Sequence, residues 1–152
     1  MVPSTSMTGR RLETDMDIDG LLAVTKRIAV LGMKTEAQRT EPAFTVPQYL
    51  VAVGFDVIPV PIYYPEVTTI LGIPVYRRLI AIPGELDMVD VFRRPDDIPA
   101  HLDDILSKHP RAVWLQLGIR NEAVADRLIA AGIDVVQDRC LLVEHRRWLA
   151  GQ

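Results

Sequence analysis

The sequence predicts an α/β domain of three layers, in which helices cover both faces of a mostly parallel β-sheet. Short apolar runs alternate about five times with segments of helical periodicity, a pattern typical of βαβ units. The runs are continuously apolar, as expected for parallel strands buried on both faces. The chain has 152 residues, 49% of them hydrophobic, which suits one domain with a substantial core. We therefore expect a Rossmann-like domain with strand order 3-2-1-4-5.

Each predicted strand is a short run of apolar, often β-branched residues bounded by turn-forming or charged residues. The predicted strands are 27–32, 55–61, a short extended piece at 73–76, 87–92, 112–118 and 133–138. Pro59 and Pro61 suit the end of the second strand, because proline cannot donate a hydrogen bond to a neighbouring strand.

The predicted helices occupy the segments between these strands. They are expected at 17–27, 42–54, 95–109, 121–132 and 142–150. Asn121 is a favoured N-cap residue, and Gly132 is a favoured residue just beyond a helix C-terminus. Pro47 is compatible with the second helix only if that helix begins at Pro47 or just before it.

The first 16 residues are polar and lack periodicity, so we predict a mobile tail over 1–16 and a single domain over 17–152. This N-terminus lacks the apolar stretch of a secretory signal, and no run approaches the roughly 20 residues of a membrane span. The net charge of −3 does not indicate a nucleic-acid or membrane partner. A single cysteine excludes an intrachain disulfide, and we expect a cytoplasmic location.

Basic residues follow several of the predicted strands. In a parallel sheet the carboxyl ends of the strands share one edge, where ligands of open α/β folds bind. The basic residues predicted at this edge are Lys34, Arg39, Arg93, Arg94, Arg120 and Arg139. Each alone is compatible with an ordinary solvated loop, but together they favour an anionic ligand, above all a phosphate.

The pattern argues against a dinucleotide site of the NAD type. Such a site needs a G-x-G-x-x-G turn, but Gly32 is the only glycine in the turn that directly follows the first strand. It also needs an acid at the tip of the second strand, whereas Asp56 begins that strand and Glu66 comes well after it. Tyr63 and Tyr64 instead offer an aromatic wall for an adenine or a pantetheine arm.

Residues suited to catalysis are few. The three histidines lie far apart and show no metal-binding spacing, so no metal site is expected. Cys140 is the candidate nucleophile, since Arg139 precedes it and His145 follows five residues later. The alternative is that Cys140 is a small buried residue at a strand end.

Three segments, YLVAVGFDVIPVP, VDVFRRP and WLQLGIRN, resemble the stand-alone CoA-binding proteins. The fold of that family is similar to the CoA-binding domain of the succinyl-CoA synthetase alpha chain. The resemblance covers roughly residues 25–146 and implies that CoA binds across the carboxyl edge of the sheet. By position, the resemblance implies these ligand-binding residues: Gly32, Met33, Lys34, Thr35, Arg39, Val60, Pro61, Val91, Phe92, Arg93, Arg94, Gln116, Leu117, Gly118, Ile119, Arg120 and Asn121.

The first loop departs from the family pattern. Many relatives have a serine and a proline after the glycine and an RPS triplet before the first helix, where this chain has RTEP. We therefore expect Lys34 or Arg39 to take over part of the phosphate binding.

The leading hypothesis is a non-catalytic module that binds CoA or an acyl-CoA through loop amides at 32–35, cationic side chains and apolar contacts. One alternative is a Cys140-dependent protein that forms a mixed disulfide with CoA or accepts an acyl group. A second alternative is a binder of NAD(P) or another nucleotide, which the fold permits. No residue indicates a particular protein partner.

Overall fold

The structure, a computed structural model, describes residues 8–152. Its strands are β1 (Arg27–Leu31), β2 (Asp56–Val60), β3 (Thr69–Ile70), β4 (Ile73–Pro74), β5 (Met88–Val91), β6 (Ala112–Leu115) and β7 (Asp134–Val136). Its α-helices are α1 (Asp15–Val24), α2 (Pro42–Ala52), α3 (Leu102–Lys108), α4 (Glu122–Ala130) and α5 (Leu141–Ala150). Short 3₁₀ helices occupy Glu36–Gln38, Leu79–Ala81 and Pro95–His101.

Five parallel strands form the main sheet in the order β2-β1-β5-β6-β7. The predicted Rossmann-like α/β class is confirmed. The side chains of β5 show why both faces are covered, because successive residues of a strand point to opposite faces. Met88 packs in a core cluster with residues of α1, α2 and α5, whereas Val89 and Val91 pack with residues of α3 and α4.

The predicted strand order needs one correction. The piece at 73–76 does not join the main sheet; Ile73–Pro74 instead pairs with Thr69–Ile70 in a small antiparallel hairpin. Its contact with β2 includes one backbone hydrogen bond, from the Tyr76 N–H to the Pro59 carbonyl at 3.0 Å. Pro59 and Pro74 carry no N–H, so a regular ladder between these two segments lacks donors.

Residues 8–14, which the sequence analysis placed in a mobile tail, lie along the edge of β7. The Leu12 N–H donates to the Val135 carbonyl at 2.8 Å, and the Val135 N–H donates to the Arg10 carbonyl at 2.9 Å. Leu12 is buried, and Thr14 caps α1 by accepting from the Asp17 N–H. The packed domain therefore includes residues 8–16, and the first seven residues of the predicted tail lie outside the described residues.

Candidate ligand-binding cleft

The candidate site lies where the strand order changes direction. The chain passes from β1 to β2 on one side and returns to β5 on the other, so a crevice opens between the carboxyl ends of β1 and β5. Gly32 follows β1 with a φ of 89°, and a Cβ added there would lie 2.4 Å from the Phe92 carbonyl oxygen. Glycine is therefore required at this position for the two strand tips to approach so closely.

Two adjoining hollows form one cleft at this point. The first lobe has a volume of about 180 Å³ and the second about 350 Å³. The first lobe is lined by Gly32, Met33, Lys34, Ile62, Tyr63, Tyr64, Phe92, Arg93 and Arg94. The second lobe is lined by Lys34, Glu41, Pro42, Ala43, Phe92, Arg93, Arg94, Pro95, Gly118 and Ile119. The two lobes share Lys34, Phe92, Arg93 and Arg94, so three cations stand where they meet.

Arg93 is held in place from several sides. Its guanidinium lies 5.8 Å from the centre of the Tyr63 ring, and its Nε donates to His101 Nε2 at 3.2 Å. Because a guanidinium only donates, His101 Nε2 must be an unprotonated acceptor. Burial and the charge of Arg93 both lower the pKa of His101, which favours this neutral form.

Arg94 and Lys34 are more accessible cations. The Arg94 side chain is 85% exposed and forms an ion pair with Asp97 at 3.0 Å, so it can swing toward a bound anion. The Lys34 ammonium lies 2.5 Å from a carboxylate oxygen of Glu41, and this hydrogen bond raises the pKa of Lys34. A bound phosphate would therefore compete with Glu41 for the Lys34 ammonium.

Pro47 explains how the first loop is attached to α2. The helix α2 begins at Pro42, as predicted, but Pro47 lies inside it, contrary to the expectation that a helix containing Pro47 begins at that residue or just before it. Pro47 has no N–H to donate to the Ala43 carbonyl four residues before it. The Lys34 N–H donates to that carbonyl at 3.0 Å instead. The proline thus frees an acceptor inside the helix, and the loop after β1 uses it.

Most amides of the first loop already have acceptors within the protein. The Gly32 N–H donates to the Val60 carbonyl, and the Thr35 N–H donates to Gln38 Oε1 at 3.0 Å. With Lys34 bound to α2, Met33 is the one residue of 32–35 whose amide has no acceptor among the described residues. The amides of Arg93 and Arg94 likewise have none there. The amides without an acceptor therefore come from both strand tips, although the one at the first tip belongs to the buried Met33.

The structure brings together about half of the site residues expected from the sequence. Those that line the cleft are Gly32, Met33, Lys34, Phe92, Arg93, Arg94, Gly118 and Ile119. Met33 does so although the whole residue is only 1% exposed, so its backbone is as inaccessible as its side chain. Leu117 and Arg39 are exposed but lie outside the lining of both lobes.

The remaining expected site residues support the fold around the cleft. Val60, Pro61 and Val91 are buried at strand ends. Thr35 is buried and caps the 3₁₀ turn that follows it. Gln116 is 3% exposed, and its Oε1 accepts from the Leu141 N–H at the start of α5. Asn121 caps α4, as its position in the sequence predicts.

Two of the basic residues at the strand tips do not reach the cleft. Arg120 and Arg139 line a separate hollow of about 80 Å³ beside the N-terminal segment. Both arginines form ion pairs with nearby acids: a guanidinium nitrogen of Arg120 lies 3.4 Å from a carboxylate oxygen of Glu122, and one of Arg139 lies 3.6 Å from Glu144. The cationic rim therefore consists of Lys34, Arg93 and Arg94 rather than of residues from four strand tips.

Cys140 lies outside both lobes of the cleft. It is partly buried and packs against the core at the start of α5. His145, the expected partner base, is buried, and its Nδ1 lies 2.6 Å from the Tyr49 hydroxyl.

Over residues 8–152 no group of three His, Cys, Asp or Glu side chains is arranged to hold a metal ion. In the same range no helix has the length and apolarity needed to cross a membrane.

The contribution of the α2 N-terminus to the cleft was not predicted from the sequence. Glu41, Pro42 and Ala43 line the second lobe, and Pro95 completes its wall. The signal was present, because a helix that follows a strand of a parallel sheet begins at the carboxyl edge of that sheet. Ile62 in the first lobe was also missed, although it directly follows the second predicted strand.

Comparison with known proteins identifies the family and the fold of this chain. The family described as the CoA binding domain matches residues 26–146. YneT of Bacillus subtilis (strain 168), an uncharacterized protein, is 32% identical over 129 residues, which is 85% of this chain and 92% of YneT. The Thermus thermophilus protein cell-free ID.343 is 38% identical, with a TM-score of 0.81 over 90% of this chain and 99% of that structure. A hypothetical protein from Pyrococcus horikoshii OT3 is 31% identical, with a TM-score of 0.80 over 90% of this chain and 93% of that structure. This chain therefore belongs to the CoA binding domain family.

Proposed function

We propose that the protein binds coenzyme A or an acyl-CoA in the two-lobed cleft, as a binding module without a catalytic step of its own. The observation that carries the proposal is that two lobes of different chemistry meet at three cations. The first lobe has a tyrosine wall suited to a stacked adenine. Lys34, Arg93 and Arg94 lie where a diphosphate would join the two halves of the ligand.

The second lobe suits the pantetheine arm and a short acyl group. Its larger volume is bordered by Pro42, Ala43, Phe92, Pro95 and Ile119, which offer apolar surface. The amides of Arg93 and Arg94, which have no acceptor among the described residues, add hydrogen-bond donors for the phosphates beside the cationic side chains. The proposed ligand thus runs from the tip of β2, across β1 and β5, to the tip of β6.

A binding role is favoured over the alternatives by the lining of the cleft. Among the described residues that line it, none is a cysteine, a serine or a histidine, so a thiol or serine nucleophile activated by a histidine base is lacking. An NAD-type ribose contact is disfavoured because Asp56 lies at the amino end of β2 and forms an ion pair with Arg27 at 3.3 Å. A disulfide between CoA and Cys140 would require CoA to reach a residue outside both lobes.

The proposal predicts saturable CoA binding that weakens as salt rises, because exposed cations bind the phosphates. Isothermal titration calorimetry with CoA, dephospho-CoA and NAD at two salt concentrations measures the affinity and its salt dependence. Arg94→Ala should weaken CoA binding about tenfold. Arg10→Ala is the matched control, since Arg10 is an exposed arginine paired with Asp17 far from the cleft. Absence of CoA binding at millimolar ligand, or tighter binding of NAD than of CoA, would refute the proposal.

Glu41→Gln should tighten CoA binding. The carboxylate of Glu41 holds the Lys34 ammonium at 2.5 Å, so an incoming phosphate must displace it. Removing an exposed competitor of this kind is worth about 1 kcal/mol, which corresponds to roughly fivefold in the dissociation constant. Glu85→Gln is the control, because Glu85 is exposed near the amino end of β5, at the opposite edge of the sheet. Unchanged or weaker CoA binding by Glu41→Gln would show that Lys34 does not receive the phosphate.

A further inference from the structure

Arg77 organises a loop that it does not belong to. Its guanidinium donates hydrogen bonds to four backbone carbonyls of residues 63–67, the segment that we name the tyrosine loop. The acceptors and distances are Tyr63 at 3.1 Å, Tyr64 at 2.9 Å, Pro65 at 3.4 Å and Val67 at 2.5 Å. A planar guanidinium presents five N–H donors in a fixed fork, which allows one side chain to bind several carbonyls at once.

The tyrosine loop has little internal support without this residue. Its backbone makes one internal hydrogen bond, from the Val67 N–H to the Tyr64 carbonyl at 3.0 Å. Tyr64 has a φ of 65°, which is unfavourable for a residue with a side chain. Carbonyls that point toward one another repel unless a positive group lies among them, and Arg77 supplies that group.

The loop forms the wall of the first lobe. Tyr63 and Tyr64 line that lobe, and the Tyr63 ring also carries the guanidinium of Arg93 above it. Tyr63 is 59% exposed, so few other contacts fix the position of its ring. Arg77 itself does not line either lobe. Its effect on a ligand must therefore pass through the backbone of the tyrosine loop.

We propose that Arg77 is a positioning residue that fixes the tyrosine loop and thereby sets the affinity of the cleft for the aromatic base of its ligand. This inference rests on the proposed function, because it assigns the base to the first lobe. Lysine would not replace arginine here, since a single ammonium has three N–H donors and no planar fork. The contribution falls mainly on the base, because Arg93, the phosphate-binding residue that contacts the Tyr63 ring, is also held by His101.

Calorimetry with three ligands tests the proposal: CoA, 3′,5′-ADP, which lacks the pantetheine arm, and 4′-phosphopantetheine, which lacks the base. Arg77→Ala and Arg77→Lys should weaken the binding of CoA and of 3′,5′-ADP by a similar factor, about tenfold, and weaken the binding of 4′-phosphopantetheine by no more than about twofold. The control is Arg78→Ala, because Arg78 is the adjacent exposed arginine and bonds Asp104 on α3 instead of the loop. An equal loss for all three ligands, or an equal loss in Arg78→Ala, would overturn the proposal.

Hydrogen exchange separates the inference from the proposed function. Amide exchange across residues 62–68 should accelerate in Arg77→Ala without ligand and remain unchanged in Arg78→Ala. Unchanged exchange in Arg77→Ala would refute the role of Arg77 in fixing the loop, whatever the ligand. If exchange accelerates but the wild-type protein binds none of the three ligands, the proposed function fails and the selectivity role of Arg77 fails with it, while the loop-fixing role stands.

Discussion

Replacing Gly32 with alanine is expected to lower the free energy of unfolding by about 3 kcal/mol and to weaken CoA binding strongly. A residue with a Cβ at the φ of 89° found here is strained by about 1–2 kcal/mol. The added methyl would also lie 2.4 Å from the Phe92 carbonyl oxygen, so the tips of β1 and β5 must separate. Urea unfolding and calorimetry with CoA measure the two effects on the same protein.

Gly54→Ala is the matched control for this variant. Gly54 has a φ of 100°, but a Cβ added there meets nothing within 4 Å. It therefore carries the backbone strain without the collision, and we expect a loss of about 1 kcal/mol with unchanged CoA binding. Equal losses of stability in the two variants would contradict the role assigned to the close approach of Gly32 and Phe92.

Asp90 is the second position at which a substitution should have a large effect, in the opposite direction. It lies in the middle of β5, between Val30 on β1 and Trp114 on β6. The side chain is fully buried, and neither carboxyl oxygen has a hydrogen-bond partner among the described residues. Replacing Asp90 with valine removes this unpaired polar group, and we expect the free energy of unfolding to rise by about 2 kcal/mol.

The pH dependence of stability gives a second test of Asp90. Burial raises its pKa well above 3.8, so the folded protein keeps a proton that the unfolded chain releases. The unfolded state then binds fewer protons, and this group's contribution to stability falls as pH rises from about 4 toward the raised pKa. The contribution of Asp90 to the free energy of unfolding falls by up to about 1.4 kcal/mol per pH unit in this range.

Asp90→Asn is the control, because it keeps the size of the side chain and removes its ionisation. Denaturant unfolding of wild type and Asp90→Asn between pH 4 and 7 isolates this slope from that of the other carboxylates. The free energy of unfolding of the wild type should fall relative to that of the asparagine variant as pH rises. Parallel curves for the two proteins would show that Asp90 ionises in the fold as freely as in the unfolded chain.

The strands of the main sheet could be predicted because burial on both faces leaves a continuous apolar run in the sequence. Two segments were predicted incorrectly, each for a different reason. Residues 8–14 pair with β7 through backbone hydrogen bonds, which place little demand on side-chain identity. The piece at 73–76 has apolar, β-branched residues, but the prolines of two facing segments prevent a regular ladder.

The candidate site likewise has features that the sequence predicted and features that only the folded structure revealed. Composition and periodicity alone established the α/β class, the edge of the sheet that holds the cleft, and the cationic character of its loops. They did not establish which cations face the cleft, because this depends on acids brought near by folding, as Asp15 is to Arg139. Nor did they show that Pro47 inside α2 would leave the Ala43 carbonyl free to accept from the Lys34 N–H, or that Arg77 would hold the tyrosine loop. Hydrogen bonds and ion pairs of this kind join segments whose spacing in the sequence carries no period, so only the folded chain specifies them.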